Sequence, residues 1–550
     1  MDRNMPKIMS NMRWGLWAIV ILGILAYAVT FQVPFYFDDS VFLADPAFTN
    51  HQGLMAVWHS DATRPFTYTT LYLNYLFGGS SPWGYHVVNL IFHLATAVLV
   101  LLLAHNLSAT PNSGVASTAS GDSYMPAAVI AAWLFVVHPL NTQAVTYIVQ
   151  RAAVFCAFFY LLAMLAYLRA RLGSPGAARA GWVVLCVVAG VFAILSKQTA
   201  ATLPLSLLLI ELMFFPISRK KMAALGGVLL AALLLAIALF ASGKVSLATI
   251  DRATRETFGL TRFGYLADQT QVLWHYIRLF LAPIGLRLEY EPPSTNDWGA
   301  APVILASLAH LTVLGTALFF ARKKPIPAFG VLFFYVANLV ESSILPIRDI
   351  IVEHRTYLPN VGLCIAVGWL FRALYLRYLN HRSAVVLTAA SIVAVLLIMT
   401  VQRNLLWRNP VAFFEQNTAL EPGNARALGE LSTAYINKHN YTAAFDALRK
   451  VDRTKLNSTT SDKYLVNLVI ALAGMGRNQD AIRVCRSVLD TNTIYDPKLR
   501  AVILNTLAVS YGALGLDEQA MRSLEEALQL DPNNAEIVKN YAIAKRAGLR

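Results

Sequence analysis

Apolar stretches, each long enough to cross a bilayer, recur along the first 402 positions of this 550-residue chain. A helix needs about 20 predominantly apolar residues for that crossing. Such runs lie at 14–33, 85–104, 125–141, 151–168, 181–196, 199–216, 222–242, 301–320, 326–345, 357–373 and 384–401. Only 14% of the residues are charged, well below the roughly one quarter usual in soluble domains. The expected fold is therefore all-α: a polytopic membrane bundle of about eleven spans over 1–402, followed by a polar region over 403–550. The first run, Trp14 to Phe35, is long enough to span and lacks a small-residue cleavage site, so it reads as a span and not as a cleaved signal.

The net charge of +14 invites a nucleic-acid reading, but its distribution opposes one. Residues 403–550 hold 19 basic and 15 acidic residues, whereas the first 402 hold 26 and 16. The excess thus sits in short loops between apolar runs, where Lys and Arg set orientation. With Arg3, Lys7 and Arg13 on the cytoplasmic side, alternation places three basic clusters there as well: Arg169, Arg171 and Arg179; Arg219, Lys220 and Lys221; Arg322, Lys323 and Lys324. The cluster Arg372, Arg377 and Arg382 follows on the same side. This scheme keeps the first loop (34–84) and the segment 243–300 outside, with the amphipathic piece Gln269–Phe280 interfacial or re-entrant. Most membrane-domain acids then face outward, among them Glu341 and Glu353. Cys156, Cys186, Cys364 and Cys485 are isolated, with neither metal-ligand spacing nor a disulfide framework.

The polar tail is periodic. In 501–534, Leu504, Leu507, Ala508, Tyr511, Ala520, Leu524, Ala527 and Pro532 fit a tetratricopeptide repeat. Weaker units start near Ala425 and Asp462, the second with Gly474 and Gly476 at its turn; Phe414–Pro422 is a partial unit and Glu536–Arg550 a terminal capping helix. Helical arrays of this kind form grooves for peptides or partner proteins.

Polar residues concentrate where apolar runs meet the outer side. Phe37-Asp38-Asp39-Ser40 follows the first span, and two close carboxylates suit proton abstraction or a metal. Asp38 and Asp39 are the candidate catalytic pair, and the pair that would hold a divalent cation such as Mg or Mn if one takes part. Arg64, Arg151, Lys197 and Arg355 are four cations on separate hairpins near one interface, a pattern suited to a lipid-linked phosphate. Lys197 has no acid nearby in sequence. His86, His138 and Glu353 are candidates for sugar or acceptor contacts, although a buried structural histidine is the commoner role.

Several motifs in order resemble the transmembrane-and-tetratricopeptide O-mannosyltransferases, and more broadly a GT-C-type glycosyltransferase. They are Phe37-Asp38-Asp39-Ser40, Arg64-Pro65, Leu73-Asn74-Tyr75, Pro82-Trp83-Gly84-Tyr85-His86 with Asn89, His138-Pro139, Arg151, Leu195-Ser196-Lys197, Arg355 with Tyr357-Leu358-Pro359, and the repeats. Gln143 and Gln198 stand where that family usually has an acid, and Ala152-Ala153 replaces a segment that commonly carries one. These departures point to a bacterial branch and leave the sugar open. The resemblance implies a polyprenyl-phosphate sugar donor, an exoplasmic site and transfer to a Ser or Thr hydroxyl of a protein held by the repeats. Two alternatives carry different expectations: a glycolipid or cell-surface polymer as acceptor, and a non-catalytic membrane scaffold for protein assembly. Membrane lipids are expected partners, and nucleic acid is not. The expected location is a bacterial inner membrane with a periplasmic tail. In a eukaryotic chain it is the endoplasmic reticulum, where Asn440 and Asn457 are glycosylation acceptors.

Overall fold

The computed structural model describes residues 5–216, 218 and 259–547, apart from 62, 115–124, 294, 348, 457, 492, 493 and 495. Among the described residues every regular element is helical. The chain divides into two compact units, Met1–Leu288 with Pro292–Arg408, and Glu289–Glu291 with Asn409–Arg550.

Among the described residues seven helices of the first unit are long and apolar enough to cross a membrane: Arg13–Gln32, Trp83–Ser108, Ile148–Leu172, Ala177–Ser196, Ala301–Phe320, Pro359–Arg377 and Leu379–Trp407. An eighth forms only if Pro126–Val137 and Pro139–Thr146 count as one span bent by 53°. Pro139 explains the bend: it forces the preceding residue out of helical geometry, and His138 is extended. Gln198–Phe214 and Pro325–Asn338 are shorter apolar helices. Among the described residues seven or eight of the expected eleven spans thus meet the length, and the expected span at 222–242 lies outside the described residues.

Ile148–Leu172 is the central helix, with 83% of its apolar window buried, against 11% for Ala177–Ser196. Lipid tails give apolar helices no hydrophobic reason to associate, so close packing by small residues carries the contact. Pro325–Asn338 and Pro359–Arg377 meet backbone to backbone at Gly330 and Gly362, where a Cβ on either would collide with the other's carbonyl. Gly368 makes the same kind of approach to Ala127. The expected interfacial piece is part of the helix Arg262–Leu281.

The second unit is a run of antiparallel-type helix pairs from Pro410–Leu420 to Ala535–Arg546. Asn424, Asn440, Asp496 and Asn534 accept backbone N–H bonds as N-caps, satisfying donors that a helix leaves unpaired. Gly476 and Gly515 take positive φ at the tight turns. Ala501, Leu504 and Ala527 pack with Ile537, and Ala508, Met521 and Leu524 pack with Ala544. The small residues of the repeat pattern thus form its interior.

Candidate active site

The first loop leaves its span through Val33 and turns at Phe37, whose φ of +46° is a left-handed conformation that an aromatic residue rarely adopts. The turn is held from several sides. Tyr36 donates its hydroxyl to the Trp407 carbonyl at 2.5 Å. The Asp39 carboxylate accepts the Tyr36 N–H at 3.0 Å on one oxygen and the Val149 N–H at 2.8 Å on the other. Asp38 is exposed and Asp39 buried. The Asp38 N–H reaches the Tyr147 hydroxyl at 2.8 Å, and that hydroxyl also lies in hydrogen-bonding reach of the Asp38 carboxylate. Burial pushes the Asp39 carboxyl up to about 8; the two amides oppose this, and the neighbouring Asp38 adds to it.

Both Asp39 oxygens are therefore engaged by backbone, and among the described residues no three His, Cys, Asp or Glu side chains gather as metal ligands.

Three of the four expected cations converge. Lys197 leaves the helix Ala177–Ser196 in extended geometry and its Nζ meets Glu341 Oε1 at 2.7 Å. Arg355 Nε approaches the same oxygen at 3.8 Å, while its Nη1 donates to the Ile350 carbonyl at 3.3 Å. Arg64 starts the helix Pro65–Gly78, which is tied to the lysine turn by Thr67 Oγ1 donating to the Ser196 carbonyl at 3.1 Å. The charge of Arg64 acts on both Lys197 and Glu341. Burial alone would raise the Glu341 carboxyl, but Lys197, Arg355 and Arg64 outweigh it and hold it below its ordinary value. Three cations to one carboxylate leave an excess of positive charge in a nearly closed place. Glu341 Oε2, Thr199 Oγ1 and Arg64 Nε are buried there without a hydrogen-bond partner, an expensive state that a polar ligand relieves.

One helix positions this cluster. Tyr265 and Tyr276 are about three turns apart on Arg262–Leu281 and share a buried face. Tyr265 donates to the Glu341 carbonyl at 2.7 Å, and Tyr276 exchanges 3.0 Å bonds with the backbone of Val352, just ahead of Arg355. His354 is anchored by Gln143, whose Oε1 accepts its backbone N–H at 2.7 Å and whose Nε2 donates to the Leu288 carbonyl at 2.9 Å. That pair of bonds needs both a donor and an acceptor, which an amide provides and a carboxylate does not. Burial raises the Tyr68 phenol above its ordinary value, with Asp61 and Asp38 adding to the shift and Arg64 opposing it.

The remaining expected residues lie elsewhere. Arg151 is fully buried, its Nε donating to Asn89 Oδ1 at 2.7 Å, Nη1 to the Thr70 carbonyl at 3.1 Å and Nη2 to the Tyr85 carbonyl at 3.0 Å. It pins three helices together and does not join the cation cluster. His86 holds the Val33 carbonyl at 3.0 Å, and His138 bonds the Phe280 carbonyl at 2.9 Å while stacked on the Phe280 ring. Glu353 is completely buried; its Oε1 accepts the Arg287 N–H at 2.6 Å, and Oε2 lies 3.7 Å from Arg403. All three have structural partners. Glu341, Tyr68, Tyr265 and Tyr276 carry no local sequence signal, because each acts across a distance in the chain that no spacing rule covers.

This arrangement, a cation cluster and an exposed aspartate on loops that cap a membrane bundle, is accompanied by similarity along most of the chain. The human protein O-mannosyl-transferase TMTC4 is 26% identical over 507 residues, covering 81% of this chain and 67% of the relative. The likeness is to the transmembrane-and-tetratricopeptide O-mannosyltransferases. Drosophila melanogaster protein O-mannosyl-transferase Tmtc1 is 25% identical over 79% of this chain and 61% of its own length. Xenopus laevis protein O-mannosyl-transferase tmtc2 reaches 33% over a shorter stretch, 30% of this chain and 20% of the relative. The chain spans about two thirds of the length of the first two. Residues 501–534 match the tetratricopeptide repeat family. No solved structure matches the chain.

Proposed function

We propose that this chain is a glycosyltransferase that moves a sugar from a polyprenyl phosphate to a Ser or Thr hydroxyl of a protein, on the exoplasmic side of the membrane. The observation that carries the reading is the meeting of Lys197 and Arg355 at one buried carboxylate, on which the charge of Arg64 also acts, with polar atoms left unpartnered beside them. A lipid-linked phosphate needs its head at such a place while its tail stays in hydrocarbon. Protein O-mannosyl-transferases as relatives favour a protein acceptor, and the repeats would bind it or a partner.

In this mechanism the Asp38 carboxylate takes the proton from the acceptor hydroxyl as its oxygen attacks the anomeric carbon. The bond from that carbon to the phosphate oxygen breaks, and the lipid phosphate departs with the electron pair. Arg64, Lys197 and Arg355 stabilise the charge that develops on it, a role in which fixed cations are most effective. Glu341 keeps Lys197 and Arg355 at a set separation. Asp39 holds the turn that presents Asp38.

The test is transfer from polyprenyl-phosphate mannose to a Ser/Thr peptide by the full chain in proteoliposomes. Asp38→Asn should lower turnover by about 10²- to 10⁴-fold, the usual worth of a general base. Lys197→Gln and Arg355→Gln should weaken use of the donor. Wild-type turnover by Asp38→Asn, in protein that remains folded, removes this mechanism.

A further inference from the structure

A second concave site lies far from the cation cluster. Between the helices Met125–Val137, Pro359–Arg377 and Arg382–Trp407 is a cavity of about 360 Å³. Val129, Ile130, Trp133, Phe371, Leu376 and Val393 give it an apolar wall. Arg372 also lines it, as does Tyr375, over whose ring Arg382 sits with its guanidinium carbon 4.9 Å from the centroid. Trp133 Nε1 donates to the Gly15 carbonyl at 3.4 Å, tying the cavity wall to the first span.

Three observations identify an occupant. The chain has no Asp or Glu from His354 through Phe414, so an anion near Arg372 and Arg382 meets no carboxylate from the two helices that carry them. Val386 lines the cavity and is exposed and apolar, as are Leu387 and Val395 on the same helix, so this side of the helix faces hydrocarbon. Arg372 lies 17 positions along the helical segment from Arg355, roughly 25 Å at 1.5 Å per residue, so the site is separate from the proposed donor site. It stands at the end that the basic loops mark as cytoplasmic, where the leaflet carries anionic lipids.

We propose that this cavity is a binding site for an anionic phospholipid, an acyl chain filling the apolar wall and the phosphate bridging Arg372 and Arg382. A planar guanidinium fork suits a phosphate, and stacking on Trp369 and Tyr375 fixes both forks at the mouth. The site does not depend on the catalytic reading.

The experiment is native mass spectrometry of the full chain in detergent, titrated in parallel with phosphatidylglycerol and with phosphatidylcholine of identical acyl chains. The wild type should retain phosphatidylglycerol with a preference of about thirtyfold, the worth of two basic residues near a lipid headgroup. Arg372→Gln with Arg382→Gln should abolish the preference, and Arg372→Lys with Arg382→Lys should restore part of it. Ala390→Trp, which fills the cavity, should reduce retention of both lipids. Equal retention of the two lipids by the wild type overturns the proposal, and so does an undiminished preference in the double glutamine variant. Should that variant not fold, undiminished retention of phosphatidylglycerol by Ala390→Trp overturns it instead.

Discussion

Asp38 is open to solvent at the end of a strained turn, while the carboxylate next to it accepts two backbone N–H groups. Substitution should therefore separate two roles. Asp38→Asn removes the proposed base and leaves the turn intact, so activity should fall while the melting temperature in detergent hardly moves. Asp39→Asn presents an NH2 group to one of the two amides, and a buried group without a partner costs about 1–3 kcal/mol; the melting temperature should fall with it. The pH dependence of that loss has a definite sign. Asp39 holds its proton to about 8 in the folded chain, against 3.8 ordinarily, chiefly because it is buried. A proton bound more tightly by the folded state stabilises it fully below about pH 4, and the contribution is lost as pH rises through about 8. The gap in melting temperature between wild type and Asp39→Asn should thus narrow between pH 6 and pH 9; a constant gap contradicts the assignment. Arg151 offers a contrast at the same scale. Its residue type and placement gave it the same expected role as Lys197, because sequence reports a cation near an interface and not what its N–H groups meet. With its guanidinium donating to Asn89, Thr70 and Tyr85, Arg151→Gln should cost folded protein before it changes donor affinity.

Helices arrange these residues through contacts of very different legibility. Hydropathy locates apolar runs, since that signal is local and cumulative over some 20 residues. It does not see that Pro139 bends one run by 53° or that another stops at Asn338. The repeats were readable because their small and large positions recur with a fixed period, and Ala501, Ala508, Ala520 and Ala527 are indeed buried. Lys197 with Glu341 was not readable: the partners lie in different hairpins, and no rule of spacing joins them. Nor did the sequence suggest that Tyr265 and Tyr276 of one amphipathic helix hold the segments bearing Glu341 and Arg355. The closest helix contact makes a prediction of its own. Gly330 and Gly362 meet with their backbones touching, so Gly362→Val forces apart the two helices whose outer ends lead to Glu341 and Arg355. Overpacking of this kind costs about 1–3 kcal/mol. The displacement should lower donor affinity as well as thermal stability, whereas Gly429→Ala in the repeats, at a position with open space, should change neither. Loss of stability with wild-type donor affinity would show that the glycine contact does not position the site.

For the molecule as a whole, the proposed function requires that Asp38, the cation cluster and the repeats share one side of the membrane, and parity decides this. Gln198–Phe214 and Pro325–Asn338 are short for spans, at roughly 25 and 21 Å by helical rise against a hydrocarbon core of about 30 Å. Basic loops nevertheless flank each: Arg219, Lys220 and Lys221 follow the first, and Arg322, Lys323 and Lys324 precede the second. If both short helices cross, together with the bent pair and the expected span at 222–242, there are eleven crossings, the basic loops fall on the cytoplasmic side and Asp38 and the tail fall opposite. If only one crosses, the tail is on the wrong side for a protein acceptor to reach Asp38. Three cysteines read this out in a chain carrying Cys186→Ala, since the other native cysteines are buried. Asn50→Cys in the first loop, Ser174→Cys between Leu172 and Ala177, and Glu526→Cys in the repeats all occupy exposed positions. A membrane-impermeant maleimide on sealed right-side-out vesicles should label Asn50→Cys and Glu526→Cys, and should reach Ser174→Cys only after permeabilisation. Labelling of Asn50→Cys without Glu526→Cys would put the repeats on the opposite side from Asp38, and the proposed recruitment of a protein acceptor to that aspartate would be lost.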